Sequence, residues 1–391
     1  MLAQFAGLRC AAIRLDRHTV NTLLTHHLYS VFLVGMHVTS SHSLVAVQIL
    51  RAVAAGAVLF AHLNTEIAGR LEHVRFVGVE VGQFGVDLFF VISGFIIVHS
   101  SEDLFGRERA GLRFFGRRLM RIVPLYWIIT AILLLHVVRH YATIADANMS
   151  LGYIVASVLF IPYPTLSGEI APTVGVGWTL NYEMFFYAVF AVVVGLPRVA
   201  AVLLCGSALI FGVWVNSSLQ LPLPIEYWLR PLILEFVFGM GIALLCRSGI
   251  CLPALIRAIL VLGAFATISA TIYVDFAPRI IEWGLPCAVL VAGATLGPDI
   301  DSRNLIVSAA GILGDASYSL YLTHSFAFTL PRQLLGSQFA GSIEPHLYAA
   351  ALITVSCVVA ICVYFVVERP LTRMMRIFVR SRATLSVSPS M

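Results

Sequence analysis

The sequence contains no lysine; all 25 of its basic residues are arginine. A P-loop lysine, a Schiff-base lysine and a Ser–Lys dyad are therefore excluded whatever the fold. Charge of either sign is scarce: 12% of residues are charged, against roughly 25% in soluble domains. There is no HExxH zinc motif and no GxSxG nucleophile elbow. The seven cysteines form no CxxC pair and most lie in apolar runs, where cysteine behaves as a small hydrophobe, so neither a metal site nor a disulfide framework is indicated. The net charge of +5 sits in segments flanking apolar runs, which marks orientation in a membrane rather than a nucleic-acid footprint.

What remains is apolar. Over 391 residues the chain is 59% hydrophobic with a mean hydropathy of +0.92, more apolar surface than a soluble fold can hide. The composition is that of an all-α, polytopic integral membrane protein. Runs able to span a bilayer are read at 44–64, 83–99, 121–138, 178–195, 200–216, 229–246, 258–275, 281–297, 305–330 and 346–367, about ten helices. The stretch 151–163, closed by Pro162 and Pro164, is too short to cross and is read as re-entrant or surface-lying. Arginines cluster at 107–121 and again from Arg369 to Arg382; the positive-inside rule places both clusters, and both termini, in the cytoplasm. Trp178, Trp214, Trp228 and Trp283 then fall at outer ends of spans, as an aromatic belt requires. Residues 1–43 fit neither a span nor a signal peptide, which suggests translation from Met36 and a mis-assigned extension before it. Residues 44–370 form the membrane domain and 371–391 a basic tail.

Ionisable residues inside a bilayer cost about 2.5–3.5 kcal/mol each and need a reason. The first span carries Arg51 and His62, eleven residues apart, which is within ~20° of one helix face and ~16 Å along the axis. Each alone reads equally well as a snorkelling or interfacial side chain; sharing a face favours a functional pair. Asp87 opens the second span, where a first-turn acid favoured by the helix dipole and a catalytic acid are both available readings. Arg117, Arg118 and Arg121 crowd the entrance of the third span. They either set topology or grip phosphates bidentately, with Pro124 and Tyr126 shaping that helix. Glu183 reads either as an arginine partner or as the carboxylate that orients His62. Glu235 and Asp315 are assigned structural roles. Ser317, Tyr321 and His324, within a hydroxyl-rich stretch, line a polar cavity or pack helices.

Six segments in order carry a resemblance: QILR at 48–51 with its ten-residue spacing to His62, GVDLFFVISG at 85–94, FFGRRLMRIVPLYW at 114–127, GWTLNYEMFFY at 177–187, SYSLYLTH at 317–324 and ERP at 368–370. Together they resemble the acyltransferase 3 family of membrane O-acyltransferases over roughly residues 44–370. The resemblance implies a multi-pass protein of the bacterial inner membrane that moves an acyl group, most often acetyl, from cytoplasmic acetyl-CoA to a sugar hydroxyl of a surface polysaccharide or its lipid-linked precursor. It implies that His62 is catalytic and that Arg51, Arg118 and Arg121 engage the acyl-CoA, which acts as co-substrate; no permanently bound cofactor is expected. The candidate set is then His62, Glu183 and Asp87 for catalysis, with Arg51, Arg117, Arg118, Arg121, Tyr126, Ser317, Tyr321 and His324 for substrate. A competing reading of the same buried charges is a transporter or flippase of a lipid-linked saccharide, with no acyl chemistry.

Overall fold

A computed structural model describes residues 43–68, 82–271, 273, 277–298, 304–335 and 344–375. The chain divides into units Met1–Leu44 and Val45–Met391. Of the first unit only its last two residues are described, and the account below concerns the second. The expectations for residues 1–42, for the tail beyond 375 and for the two termini lie outside the described residues.

Among the described residues the fold is all-helical, with one isolated β-bridge between Pro164 and Ile170. The helices of eight or more residues are α1 (Ser43–Ala68), α2 (Phe84–Ser100), α3 (Ala110–His140), α4 (Leu151–Val158), α5 (Trp178–Val193), α6 (Arg198–Ser218), α7 (Leu234–Arg247), α8 (Ala254–Ala270), α9 (Leu285–Thr295), α10 (Leu305–Asp315), α11 (Ser317–Leu335) and α12 (Pro345–Val363). Five described helices are long and apolar enough to cross a bilayer, and a sixth crossing results if α10 and α11 count as one. Phe84–Ser100, Ala254–Ala270 and Ile280–Thr295 are apolar but shorter. At eight residues, α4 is ~12 Å long and does not cross.

Two elements depart from the expected spans. The third begins at Ala110, not 121, so Arg113, Arg117 and Arg118 sit on helix rather than in a loop. The expected continuous span 305–330 is broken at Ala316 by a 72° bend. The cause is local docking: a Cβ on Gly314 would lie 2.1 Å from the Gln48 carbonyl, so α10 ends with its backbone against α1. There the Gln48 amide donates to Asp315 Oδ1 at 2.6 Å. Beyond the break Ser317 begins a new helix in a new direction.

The packing centre is the crossing of α2 and α7. A Cβ on Gly239 would stand 1.9 Å from the Val91 carbonyl, and one on Gly94 would stand 2.1 Å from that of Phe236. Backbones meet directly, as small residues permit between helices in lipid, where no hydrophobic force separates inside from outside. Around this contact Phe90, Phe186 and Phe236 form an aromatic core, with ring centroids 4.7 and 4.3 Å apart. Phe114 of α3 joins it through Phe190 at 5.1 Å. The rigid pair of α2 and α7 holds one wall of the cavity described next.

Candidate active site

Five helices converge on a cavity of about 90 Å³. Its lining includes Arg51 from α1, Phe89 and Ser93 from α2, Arg118 and Arg121 from α3, Thr179, Glu183 and Tyr187 from α5, and Ser317, Tyr318 and Tyr321 from α11. That volume holds a few waters or a short acyl group.

Three guanidiniums share this space with one carboxylate, and none of the three forms an ion pair among the described residues. Arg51 is buried, and its Nη1 donates to Gln48 Oε1 at 3.2 Å. Gln48 thus bridges Arg51 to Asp315. Arg118 donates to Ser100 Oγ and lies over the rings of Phe114 and Tyr187, at 5.3 and 5.8 Å. Its Nε is buried without a partner among the described residues. Glu183 accepts from Ser93 Oγ at 3.0 Å and from the Tyr187 hydroxyl. Both bonds fall on Oε1, and among the described residues no arginine is hydrogen-bonded to this carboxylate, which leaves the guanidiniums their capacity for an anion. Glu368, from the π-helical turn Tyr364–Glu368 that continues α12, accepts from Ser319 Oγ at 2.5 Å.

His62 is not among the residues lining the arginine cavity. It is exposed farther along α1, with its ring centroid 4.9 Å from that of the buried His324. His62 Nδ1 stands 2.9 Å from the Val58 carbonyl and His324 Nδ1 stands 3.1 Å from that of Leu320. A carbonyl only accepts, so both rings carry a hydrogen on Nδ1, and in the neutral form of either ring the lone pair is on Nε2. The Nε2 of His324 is buried with no partner among the described residues. Tyr321 joins the two regions. It lines the cavity, its hydroxyl contacts Thr179 Oγ1 and donates to the Val176 carbonyl, both at 2.8 Å, and its ring lies 6.4 Å from His324.

Several sequence expectations take a different form. Glu183 falls in with the arginines, bonded to Ser93 and Tyr187, and has no hydrogen bond to His62. Asp87 lies on the opposite side of α2 from the cavity-lining residues and is fully buried in a bidentate pair with Arg279, at 3.0 and 2.7 Å. Its orienting partner is thus a cation, not His62. Tyr126 is also fully buried outside the cavity lining, its hydroxyl donating to the Ser157 carbonyl at 3.1 Å, which ties α3 to α4. Arg117 faces away from the cavity and pairs with Asp103 at 2.6 Å, both side chains about half exposed. The Arg117 guanidinium holds the Asp103 carboxyl below its ordinary range, so this contribution is present at neutral pH and lost as pH falls through that depressed value. An exposed pair of this kind is worth about 0.2–1 kcal/mol.

Sequence reasoning did not single out Ser93, Tyr187, Thr179 or Arg279. Tyr187 was legible as the residue one helical turn after Glu183. Arg279 pairs with a residue 192 positions away, and no local pattern announces it.

A multi-pass helical protein with a cation-lined cavity inside its bundle and an uncommitted imidazole near one end has the anatomy of a membrane enzyme that handles an anionic donor. Comparison with known proteins gives the class its name. Residues 44–365 match the family described as "Acyltransferase domain", and the chain belongs to this acyltransferase 3 family of membrane acyltransferases. It is 33% identical over 307 residues to "Exopolysaccharide production protein ExoZ" of Rhizobium meliloti (strain 1021), covering 75% of this chain and 90% of that protein. It is 23% identical over 329 residues to "Acyltransferase MdmB" of Streptomyces mycarofaciens, covering 75% of this chain and 82% of that one. No solved structure matches.

Proposed function

We propose that this chain is a bacterial inner-membrane O-acyltransferase that moves an acyl group, acetyl foremost, from cytoplasmic acyl-CoA to a hydroxyl of a surface polysaccharide or its lipid-linked precursor. The observation that carries this reading is the cavity with Arg51, Arg118 and Arg121, none of which forms an ion pair among the described residues. Cations kept unpaired in a membrane protein are expensive unless a ligand supplies the anion, and CoA brings a diphosphate and a 3′-phosphate. The relative named for exopolysaccharide production supports a polysaccharide acceptor.

Orientation follows from the arginine-rich segments, which the positive-inside rule sets in the cytoplasm. On this reading α2, α7, α8 and α9 also cross, which with the five long helices and the bent pair α10–α11 makes ten crossings with both termini cytoplasmic, and the arginine cavity opens toward the compartment that holds CoA. The His62 end faces outward. A sugar hydroxyl is a weak nucleophile, and the Nε2 lone pair of His62 is the base that takes its proton. The hydroxyl oxygen then bonds to the thioester carbonyl carbon. The C–S bond breaks, and the departing thiolate takes the proton back from the imidazolium. His324, its ring against His62, is a positioning residue that supports the transient charge. Ser317 and Tyr321 supply hydroxyls along the path, and Glu183 with its two donors moderates the field of the three arginines.

The arginines can be tested by acyl-CoA affinity. Losing charge-assisted hydrogen bonds worth about 1.5–3 kcal/mol raises Kd roughly 10- to 100-fold. Arg121→Ala is expected to show that loss for acetyl-CoA by calorimetry on the detergent-purified protein. Arg117→Ala, which removes an exposed cation outside the cavity, is expected to stay within about twofold. Equal effects of the two substitutions would sink the cavity assignment.

A further inference from the structure

A second and larger hollow, of about 890 Å³, opens beside the turn that Tyr321 holds. Its lining includes Trp178, Tyr182, Tyr227, Arg230, Arg279 and Glu169. Two connections put it at the His62 end of the bundle. The turn Gly175–Gly177, contributing Gly175 to the groove, carries the Val176 carbonyl that accepts from Tyr321, the neighbour of His324. Arg279, also in the lining, reaches the Gln83 carbonyl at 3.5 Å, next to Gly82, which packs on Ala57 and Ala61 in the turns of α1 leading to His62.

The floor of the groove is a continuous stack. Trp178 meets Tyr182 edge-on at 6.1 Å, Tyr182 lies 4.9 Å from Tyr227, and the Arg230 guanidinium sits 4.7 Å over Tyr227. Trp178 is half-buried, whereas Tyr182 and Tyr227 are buried beneath the surface and keep the stack rigid. Both arginines are already neutralised. Arg230 bonds Glu226 through Nε and Nη2 at 2.9 and 3.1 Å, and Arg279 bonds Asp87 in the same bidentate manner. Each guanidinium has five N–H donors, so both retain donors after pairing. Glu169 adds an exposed acceptor.

The Trp178 ring, backed by two buried tyrosines and flanked by planar donors and a carboxylate, suits a ligand with an apolar ring face and hydroxyl edges. The charges decide its kind: two guanidiniums are cancelled by Glu226 and Asp87, and Glu169 leaves the rim slightly negative, which disfavours an anionic chain. The volume lies at the upper end of the roughly 300–1,000 Å³ of small-ligand sites, room for more than one sugar ring. We propose that this groove, floored by Trp178, Tyr182 and Tyr227 and rimmed by Arg230, Arg279 and Glu169, is the subsite that holds a neutral saccharide segment of the acceptor. The assignment rests on the acyltransferase reading above, since it is that reading which calls for a glycan at the His62 end.

The test uses the full-length protein in detergent micelles, with cellotetraose as the neutral probe and tetragalacturonate as the acidic one. Saturation-transfer NMR follows the sugars and calorimetry follows acetyl-CoA. Cellotetraose is expected to bind more tightly than tetragalacturonate. Trp178→Ala should weaken cellotetraose about tenfold while leaving acetyl-CoA affinity unchanged, and Trp178→Phe should restore most of the loss. The unchanged acetyl-CoA affinity shows that the variant is folded. Acetyl-CoA binding with no cellotetraose binding, or cellotetraose binding indifferent to Trp178→Ala, overturns the groove and leaves the acyl-transfer reading standing. Tighter binding of the acidic probe overturns the choice of a neutral segment. Cellotetraose binding through Trp178 in a protein that binds no acyl-CoA overturns the acyl-transfer reading, and with it the acceptor role of the groove.

Discussion

His62→Ala is expected to lower acyl transfer from acetyl-CoA by about 10² to 10⁴-fold while leaving acetyl-CoA affinity unchanged. General-base catalysis contributes in that range. The imidazole is exposed, bonds the carbonyl four residues back, touches the His324 ring, and lies outside the arginine cavity, so removing it costs one ring contact and leaves donor binding undisturbed. Steady-state transfer of radiolabelled acetyl to polysaccharide, run beside calorimetric binding of acetyl-CoA, separates the two effects. The same assay isolates the second ring. His324→Ala should reduce kcat with the KM for acetyl-CoA unaltered, and His324→Gln, which keeps an acceptor near the Nε2 position, should recover part of it. A His62→Ala protein that transfers acetyl at the normal rate would remove the base from this account.

Arg279→Met is expected to destabilise the fold by about 3–5 kcal/mol, the cost of leaving a buried charge without its partner. Asp87 is fully buried, and its two oxygens accept from Arg279. Glu235 lies equally deep, with its carboxyl against that of Asp87. Arg279 is therefore the cation for a pair of acids on α2 and α7, beside the backbone contact of Gly94 and Gly239. Thermal unfolding in detergent should show a large drop in Tm for Arg279→Met, with much of it recovered when Asp87→Asn is added. The outcome also decides between the two sequence readings of Asp87. Should Asp87→Asn abolish transfer at undiminished stability, Asp87 acts in the chemistry and the structural assignment fails.

The contrast between Arg121 and Asp87 shows what a sequence of this kind makes legible. Polar residues in apolar runs stand out because lipid makes them costly, so Arg51, Arg118, Arg121, Ser317 and Tyr321 could be singled out one by one, and they line one cavity. The number of residues between two positions on one helix was equally readable: Glu183 and Tyr187 are one turn apart and share a hydrogen bond. Partnerships across the bundle were not readable. Asp87 with Arg279, Gln48 with Asp315 and Ser319 with Glu368 join positions 192, 267 and 49 residues apart, and only helix packing decides them. Helix boundaries failed where a contact rather than hydropathy sets them. The break after Asp315 lies inside a run that reads as one span, and it is caused by the backbone of α10 meeting Gln48. The start of α3 lies among arginines that a hydropathy reading assigns to a loop.

The central claim is that this membrane protein performs acyl transfer rather than moving an intact saccharide, and the most direct measurement is proton NMR of surface polysaccharide. Cells lacking the gene would carry either the intact protein or a stably inserted His62→Ala, and the signal followed is O-acyl per sugar repeat. The account expects the intact protein to restore that signal and His62→Ala to leave it absent, with the amount of polymer unchanged in both. Polymer that vanishes from the surface of the deletion strain while its repeats keep their full acyl content would contradict the account and favour a transporter.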